Sequence, residues 1–160
     1  MLRVCKHPLI PRLVAIHETA DHYYVAWEPT EGGDLESYIK RFGITSKIIG
    51  HILSQIGEVL NFLSMMNIVV GNLRLSSFSV AEAIAPSDTT TLPKIRLVDL
   101  SEATILGPHS YCDLSTSLSL YSAPEILSEP QSLVSVASDA FSLGVIIYQI
   151  LFKKLPFTTI

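Results

Sequence analysis

Charged side chains are scarce in this chain, and neither sign dominates. Asp, Glu, Lys and Arg make up 16% of the 160 residues, and the formal net charge is −4. This balance provides no basic surface of the kind that binds nucleic-acid phosphates, so we expect no nucleic-acid partner. The mean hydropathy of +0.40 is high for a free domain. It favours a chain that buries apolar faces in a larger core or against a partner.

Cysteine and long apolar runs are also scarce. Cys5 and Cys112 suffice for one disulfide by number, but reduced thiols in an intracellular protein are the interpretation that we prefer. The longest apolar stretch, residues 143–152, is interrupted by glycine, tyrosine and glutamine, whereas a membrane span needs about 20 residues. The first residues do not read as a basic segment followed by an apolar one. We therefore expect neither a membrane span nor a secretory signal.

Hydrophobic periodicity predicts a hairpin and a long helix in the first half of the chain. Residues 12–17 and 22–28 are short β-branched or aromatic runs separated by a Thr-Ala-Asp turn, a pattern that indicates a hairpin. Apolar residues then recur at helical spacing over residues 45–63. Thr45 or Ser46 is the expected N-cap of this amphipathic helix.

The second half of the chain predicts two short strands and a buried helix. Residues 78–80 and 95–98 read as strands, and the Pro-, Ser- and Thr-rich residues 85–93 join them as a loop. Residues 137–152 carry helical periodicity with nearly every face apolar, and Ser138 is the expected cap. Such a helix is typical of the centre of a lobe.

The stretch before the first of these strands carries a motif with known chemistry. Residues 68–80 read IVVGNLRLSSFSV. They resemble the protein-kinase catalytic loop, roughly I-V-H-R-D-L-K-P-E-N-I-L, with its chemical groups exchanged. In that family the Asp accepts the substrate hydroxyl proton, the Lys steadies the transferring phosphoryl group and the Asn holds Mg²⁺. The three matching positions here are Asn72, Arg74 and Ser77.

Further kinase motifs stand in the family's order along the chain. They are His-Pro at 7–8 with Leu13, WEPTEGGDL at 27–35, VDLS at 98–101, APE at 123–125, SDAFSLG at 138–144 and KLPF at 154–157. These resemble the turn into strand four, the hinge with the start of helix D, D-F-G, A-P-E, the helix F motif S-D-x-W-S-x-G and G-x-x-P-F. The resemblance implies a protein-kinase-like α+β fold, a mostly helical C-lobe with remnants of the N-lobe sheet and hinge.

The resemblance also implies a partial domain. Residues 1–33 match an N-lobe remnant with the hinge, and residues 34–160 match an incomplete C-lobe. A complete kinase fold is about twice a typical domain length, so we expect a kinase-like domain truncated at both ends. The LRLSSF run at residues 73–78 and the degraded D-F-G resemble the tribbles group, so that a degenerate pseudokinase is the expected type.

The reacting positions are the ones that depart from the family pattern. Asn72 carries no carboxylate and cannot act as a general base near neutral pH, a role worth about 10²- to 10⁴-fold in rate. The alternative is a purely structural role, in which Asn72 is a loop residue that hydrogen-bonds to the backbone. Ser77 is a poorer ligand for a hard cation than the family's Asn. Arg74 keeps the charge of the Lys with a different geometry, and both a solvated loop arginine and a phosphate ligand remain open. Leu118 replaces a threonine of the P+1 loop.

The resemblance leaves few candidates for nucleotide and metal. Asp99 is the retained metal-binding position and a weak candidate for Mg²⁺ by itself. Glu28 and Thr30 lie in the hinge, Asp34 matches a residue that meets a ribose hydroxyl, and Ser79 replaces an apolar residue under the adenine. No cofactor is expected, because these contacts alone do not make a site for ATP with Mg²⁺. Weak binding of ATP and Mg²⁺ is the alternative.

Positions that hold a kinase lobe together remain apolar or unchanged. Leu13, Val70 and Leu100 stand at three positions of the family's hydrophobic spine, and each contributes about 1.5–3 kcal/mol when buried. Asp139 is expected to anchor the catalytic-loop backbone from helix F by charge-assisted hydrogen bonds. In the family, the residue that matches Glu125 pairs with an Arg that would lie beyond residue 160. We therefore expect Glu125 to be unpaired or to face solvent.

Two classes of function follow from this pattern. The preferred one is a non-catalytic, pseudokinase-type binding or scaffold module of intracellular signalling, in the cytoplasm or nucleus. Its partner would be a signalling kinase or a ubiquitin-ligase substrate, as the tribbles resemblance implies. The alternative is a fragment of a Ser/Thr protein kinase that binds ATP and phosphorylates proteins. A piece with no independent function is a third interpretation, which a non-cooperative thermal transition would favour.

Overall fold

The fold is seen in a computed structural model. It describes residues 6–43, 45–85, 87–88, 90–107, 118–128 and 134–159. Cys5 and Cys112 lie outside these residues, so the reduced state of their thiols stays a prediction.

A β-hairpin opens the described chain, as the alternating runs predict. Strand β1 (Leu13–Glu18) pairs antiparallel with β2 (Tyr23–Trp27), and its register is irregular between Leu13 and Ala15. The turn is closed by Thr19, whose backbone N–H donates to the carbonyl of His22 at 2.9 Å. Most of the hairpin's side chains are exposed on this small sheet.

Four α-helices are described, and the bounds of the two longest follow the sequence signals closely. They are α1 (Leu35–Phe42), α2 (Ser46–Met65), α3 (Pro124–Ser128) and α4 (Val136–Phe152). Thr45 caps α2 as expected, because its hydroxyl accepts the N–H of Ile48 at 3.3 Å. The expected cap of α4 was wrong. Ser135 is the N-cap residue, and Ser138 lies in the first turn, where its hydroxyl donates to the carbonyl of Ser135.

Four more short strands form two further sheets within the described residues. They are β3 (Ile68–Val69), β4 (Phe78–Val80), β5 (Ile95–Leu97) and β6 (Thr104–Ile105). Strand β3 pairs with β6, and β4 pairs with β5, both antiparallel. Residues 70–77 therefore run between two paired strands, and the α+β fold class is confirmed.

The core lies where α2 and α4 meet the small sheets. Its fully buried side chains include Ile52, Ile56 and Leu63 of α2, Ile146 and Ile150 of α4, and Phe78 and Leu97 of the strands. One buried polar residue joins helix to sheet. The amide of Gln55 donates to the carbonyl of Pro93 at 2.9 Å and accepts the N–H of Ile95 at 3.0 Å. This pairing satisfies backbone groups that would otherwise be buried without partners.

Helix α2 is long and apolar enough to cross a membrane by length and composition alone. It is also the helix that supplies much of the buried core. Since the core helix of a globular protein passes the same test, this property is weak support for a span. The expectation of no membrane span stays a prediction.

We predict that Ile56→Ala lowers the free energy of unfolding by about 2–5 kcal/mol, because it leaves a cavity in place of a fully buried side chain. The matched change Ile16→Ala, on a side chain that is 43% exposed, costs less than about 1 kcal/mol. Urea unfolding followed by circular dichroism measures both. Equal losses for the two variants would contradict this description of the core.

Candidate functional site

The loop that follows β3 turns sharply at a glycine. Gly71 has φ of 83°, a backbone conformation that side-chain-bearing residues rarely adopt. A Cβ added there would lie 3.1 Å from the carbonyl oxygen of Glu102. Glycine at position 71, where the family's catalytic loop has an arginine, thus allows close approach of the two backbones.

A carboxylate from α4 holds this turn in place. Asp139 Oδ2 accepts the N–H of Val70 at 2.7 Å, and Oδ1 accepts the N–H of Gly71 at 3.0 Å. Asp139 is 7% exposed. Burial raises its pKa, and the two N–H donors oppose that rise. The helix that runs through the lobe is therefore fastened directly to the loop that carries the reacting positions.

Position 72 carries a neutral amide that bonds a carboxylate. The half-buried Asn72 donates through Nδ2 to Glu102 Oε1 at 3.3 Å. This differs from the structural interpretation above, in which the side chain bonds the backbone. Its Oδ1 is buried and has no hydrogen-bond partner among the described residues. An amide cannot take a proton from a substrate hydroxyl near neutral pH, so the general base of the family is absent at this position.

Glu102 was not anticipated from the sequence. It lies beside Asn72 because β6, two residues further along, pairs with β3, with Val69 opposite Thr104. Two-residue strands leave no periodic signal, so spacing along the chain gave no indication of this contact.

Arg74 and Asp99 form an ion pair at the front of the loop. Arg74 Nη2 lies 3.4 Å from Asp99 Oδ2, and the two side chains are 42% and 32% exposed. Asp99 Oδ1 accepts the N–H of Ser101 at 3.2 Å and its hydroxyl at 2.7 Å. Burial by itself raises the pKa of Asp99, but the bonds from Ser101 and Arg74 outweigh it and hold the pKa below its ordinary value. The carboxylate is thus ionised and already partnered.

Ser77 faces the loop backbone. It is fully buried, and its hydroxyl accepts the N–H of Arg74 at 3.3 Å. Its carbonyl accepts the N–H of Val98 at 2.9 Å. These contacts suit the structural role of a strand-entry serine.

The residues at these positions do not fit the two-ligand magnesium site of the resembled family. One candidate ligand, Ser77, is a buried neutral hydroxyl turned to backbone, and the other, Asp99, is paired with a guanidinium. No group of three or more His, Cys, Asp or Glu side chains among the described residues is arranged to hold a metal ion.

The hinge is tied to the strand that lies under it. Ser79 Oγ lies 2.7 Å from Thr30 Oγ1 and 2.6 Å from the carbonyl oxygen of Gly33. The residue is buried, so this polar link replaces the apolar floor expected for an adenine site. Thr30, a hinge candidate, is engaged through its side chain.

The other two nucleotide candidates also bond the protein. Asp34 is exposed and caps α1, since its Oδ1 accepts the N–H of Ser37 at 2.7 Å. That bond lowers the pKa of Asp34. Glu28 Oε2 lies 3.1 Å from Arg96 Nη1, which directs its carboxylate to β5.

The structural candidates divide by burial. Val70 is 2% exposed and Leu100 is 8% exposed, and both belong to the core cluster. Leu13 is partly exposed at the start of β1 and lies outside that buried cluster, so burial of all three spine positions was a wrong expectation. Leu118 is 47% exposed. Glu125 is exposed in the first turn of α3, in agreement with the expectation that it faces solvent.

Comparison with known proteins agrees with the motif order. The family model of the protein kinase domain matches residues 1–160. The chain is 30% identical over 159 residues to the mitosis inducer protein kinase cdr1 of Schizosaccharomyces pombe, covering 98% of the chain and 25% of that protein. It is 26% identical to the serine/threonine-protein kinase ATG1c of Arabidopsis thaliana, covering 99% and 21%. It is 28% identical to the serine/threonine-protein kinase ULK3 of Homo sapiens, covering 99% and 32%.

These names bear on the two functions that the sequence left in competition. All three relatives are named as protein kinases, and two are named as serine/threonine kinases. None of the three is named as a pseudokinase or as a tribbles protein. The comparisons therefore favour the Ser/Thr kinase alternative over the pseudokinase interpretation. The chain spans between 21% and 32% of the length of these relatives.

We predict that Asp139→Ala lowers the free energy of unfolding by about 1–3 kcal/mol, because the buried N–H of Val70 loses its acceptor. Asp21→Ala, which removes an exposed carboxylate from the hairpin turn, changes stability by less than about 0.5 kcal/mol. Urea unfolding of both variants at one pH gives the comparison. If Asp139→Ala unfolds at the same urea concentration as wild type, the anchor is not what holds the loop.

We predict that Ser101→Ala raises the pKa of Asp99 toward its ordinary value of 3.8, since it removes the hydroxyl that bonds the ionised form. In wild type the folded-state pKa is lowered. The contribution of the ionised group to stability is thus present above the ordinary value and is lost as the pH falls through the lowered one. Carboxyl ¹³C NMR titration measures the pKa, with the exposed Ser76→Ala as control. The same midpoint in Ser101→Ala and wild type would refute the assignment.

Proposed function

We propose that this chain, which belongs to the protein kinase domain family, is a Ser/Thr-kinase-type segment that keeps the catalytic-loop frame and does not transfer phosphoryl groups. It acts as a binding or scaffold module. The observation that carries the proposal is the amide of Asn72 at the position of the catalytic base, bonded to Glu102. Loss of a general base costs about 10²- to 10⁴-fold in rate by itself.

The loop keeps the anchoring contact of the family pattern but not its reacting groups. The loop is anchored by Asp139 through two short hydrogen bonds. The positions for phosphoryl contact and metal are occupied by Arg74 and Asp99, which bind each other. A frame that is kept while its reactive groups pair internally supports a role through surfaces.

The hairpin offers an apolar surface for a partner. Val14, Tyr23 and Tyr24 are 60%, 70% and 59% exposed, and Ile16 and Val25 are also exposed. Val25 lies opposite Ile16 in the strand pairing, and Tyr23 shares that face by strand alternation, whereas Tyr24 lies on the other face. Exposed aromatic and aliphatic groups on one face are typical of protein contacts. Following the tribbles resemblance, we assign a protein partner, a signalling kinase or a ubiquitin-ligase substrate, and an intracellular location in the cytoplasm or nucleus.

A second candidate function is a Ser/Thr protein kinase that binds ATP and phosphorylates proteins. It is favoured by the names of the relatives, among them ATG1c and ULK3. The chemistry at positions 72 and 77 opposes it. Under this candidate, catalysis would need a base other than Asn72 and a metal ion held with Asp99.

We predict no magnesium-dependent transfer of the γ-phosphate of ATP by this chain, either to a mixed protein substrate or to water. The physical reason is the missing base together with the pairing of Asp99 to Arg74. Release and transfer of radiolabelled phosphate under single-turnover conditions is the measurement.

The variant Asp99→Ala and its matched control Asp21→Ala show whether any measured transfer belongs to the chain. Transfer that is lost in Asp99→Ala and kept in Asp21→Ala would overturn the proposal and establish the kinase candidate. Transfer that is absent in wild type, or equal in all three proteins, supports the non-catalytic function, since an equal signal comes from a contaminant.

A further inference from the structure

Both oxygens of the Asp99 carboxylate are occupied by groups of the chain. Oδ1 takes two hydrogen bonds from Ser101, one from its N–H and one from its hydroxyl. Oδ2 faces the guanidinium of Arg74, with Nη2 at 3.4 Å. The oxygen that would remain for a metal ion is thus the one that the guanidinium approaches.

The backbone of Arg74 is held by the loop, and its side chain is partly buried. Its backbone N–H donates to the buried hydroxyl of Ser77 at 3.3 Å. Its Nε is buried and has no hydrogen-bond partner among the described residues, while Nη2 points to Asp99. The guanidinium is thus buried at Nε and presents Nη2 to the carboxylate.

We infer that the guanidinium of Arg74 takes the place of a divalent metal ion at Asp99 and excludes Mg²⁺ or Mn²⁺ from that carboxylate. The inference deepens the proposed function, on which it rests, by naming the residue that keeps metal out. It concerns the metal alone and applies whether or not a nucleotide binds.

Electrostatics gives the reason. A divalent ion on Oδ2 would lie within a few ångströms of a permanently charged guanidinium, and like charges at that distance repel strongly in a partly desolvated site. Binding the metal would also require Asp99 to give up its bond to Arg74. A small, hard cation is often held by one or two carboxylates with water, so Asp99 freed of Arg74 is an adequate weak ligand.

The experiment titrates MnCl₂, without nucleotide, into the ¹⁵N-labelled chain and follows paramagnetic broadening of the amide signals next to Asp99. Wild type is expected to show no selective broadening there. Arg74→Ala is expected to gain Mn²⁺ binding at Asp99, seen as selective broadening that wild type lacks, because the repelling guanidinium is gone. Arg74→Gln, which removes the charge and keeps an amide donor, is expected to do the same if Arg74→Ala unfolds.

Two controls separate this effect from a general change of charge. Arg12→Ala removes an exposed arginine side chain and changes the net charge by the same amount. It is expected to leave the signals near Asp99 as sharp as in wild type. The double variant Arg74→Ala with Asp99→Asn is expected to lose the gained affinity.

Three results would overturn the inference: selective broadening near Asp99 in wild type, no gain in either Arg74 variant, or an equal gain in Arg12→Ala. None of these measures phosphoryl transfer. Transfer by wild type would overturn the proposed function, whereas the gain of Mn²⁺ binding would still identify Arg74 as the excluding group.

Discussion

The site depends on one buried carboxylate and the two backbone N–H groups that it accepts. Asp139 in α4 fixes Val70 and Gly71 at 2.7 and 3.0 Å, and this bond pair determines where the next residues of the loop lie. A charged acceptor makes such bonds stronger than neutral ones, and leaving a buried N–H without an acceptor is costly. The positions of Asn72 and Arg74 follow from this anchor.

On that frame, the exchanged side chains find partners within the protein. Asn72 bonds Glu102, Arg74 pairs with Asp99, and Ser77 closes the loop on itself. Each contact uses the groups that a kinase turns toward substrate and metal. The chemistry of the loop is thus directed inward, while the hairpin carries exposed apolar side chains. The names of the relatives favour catalysis, so the two functions have to be separated by measurement.

Much of the fold was predictable because its signals are local or periodic. The hairpin and α2 follow from alternation and from i, i+3, i+4 recurrence, and the family motifs placed Asp139 opposite the loop. Less of the site was predictable. The partner of Asn72 depends on pairing between two strands of two residues each. The partner of Arg74 depends on a side-chain contact with Asp99, which is distant in sequence. Leu13 remained partly exposed, because a motif match gives a position and not the packing around it.

The most direct test of the central claim, a kinase frame whose reacting groups are paired internally, is a thermal-shift titration of the chain with ATP, with and without Mg²⁺ or Mn²⁺. A ligand that binds the folded state raises its melting temperature by mass action. The account predicts a cooperative transition whose midpoint gains no metal-dependent shift at millimolar nucleotide. A shift that requires the metal, and that disappears in Asp99→Ala, would contradict it, because Asp99 would then be free to serve a nucleotide-bound cation.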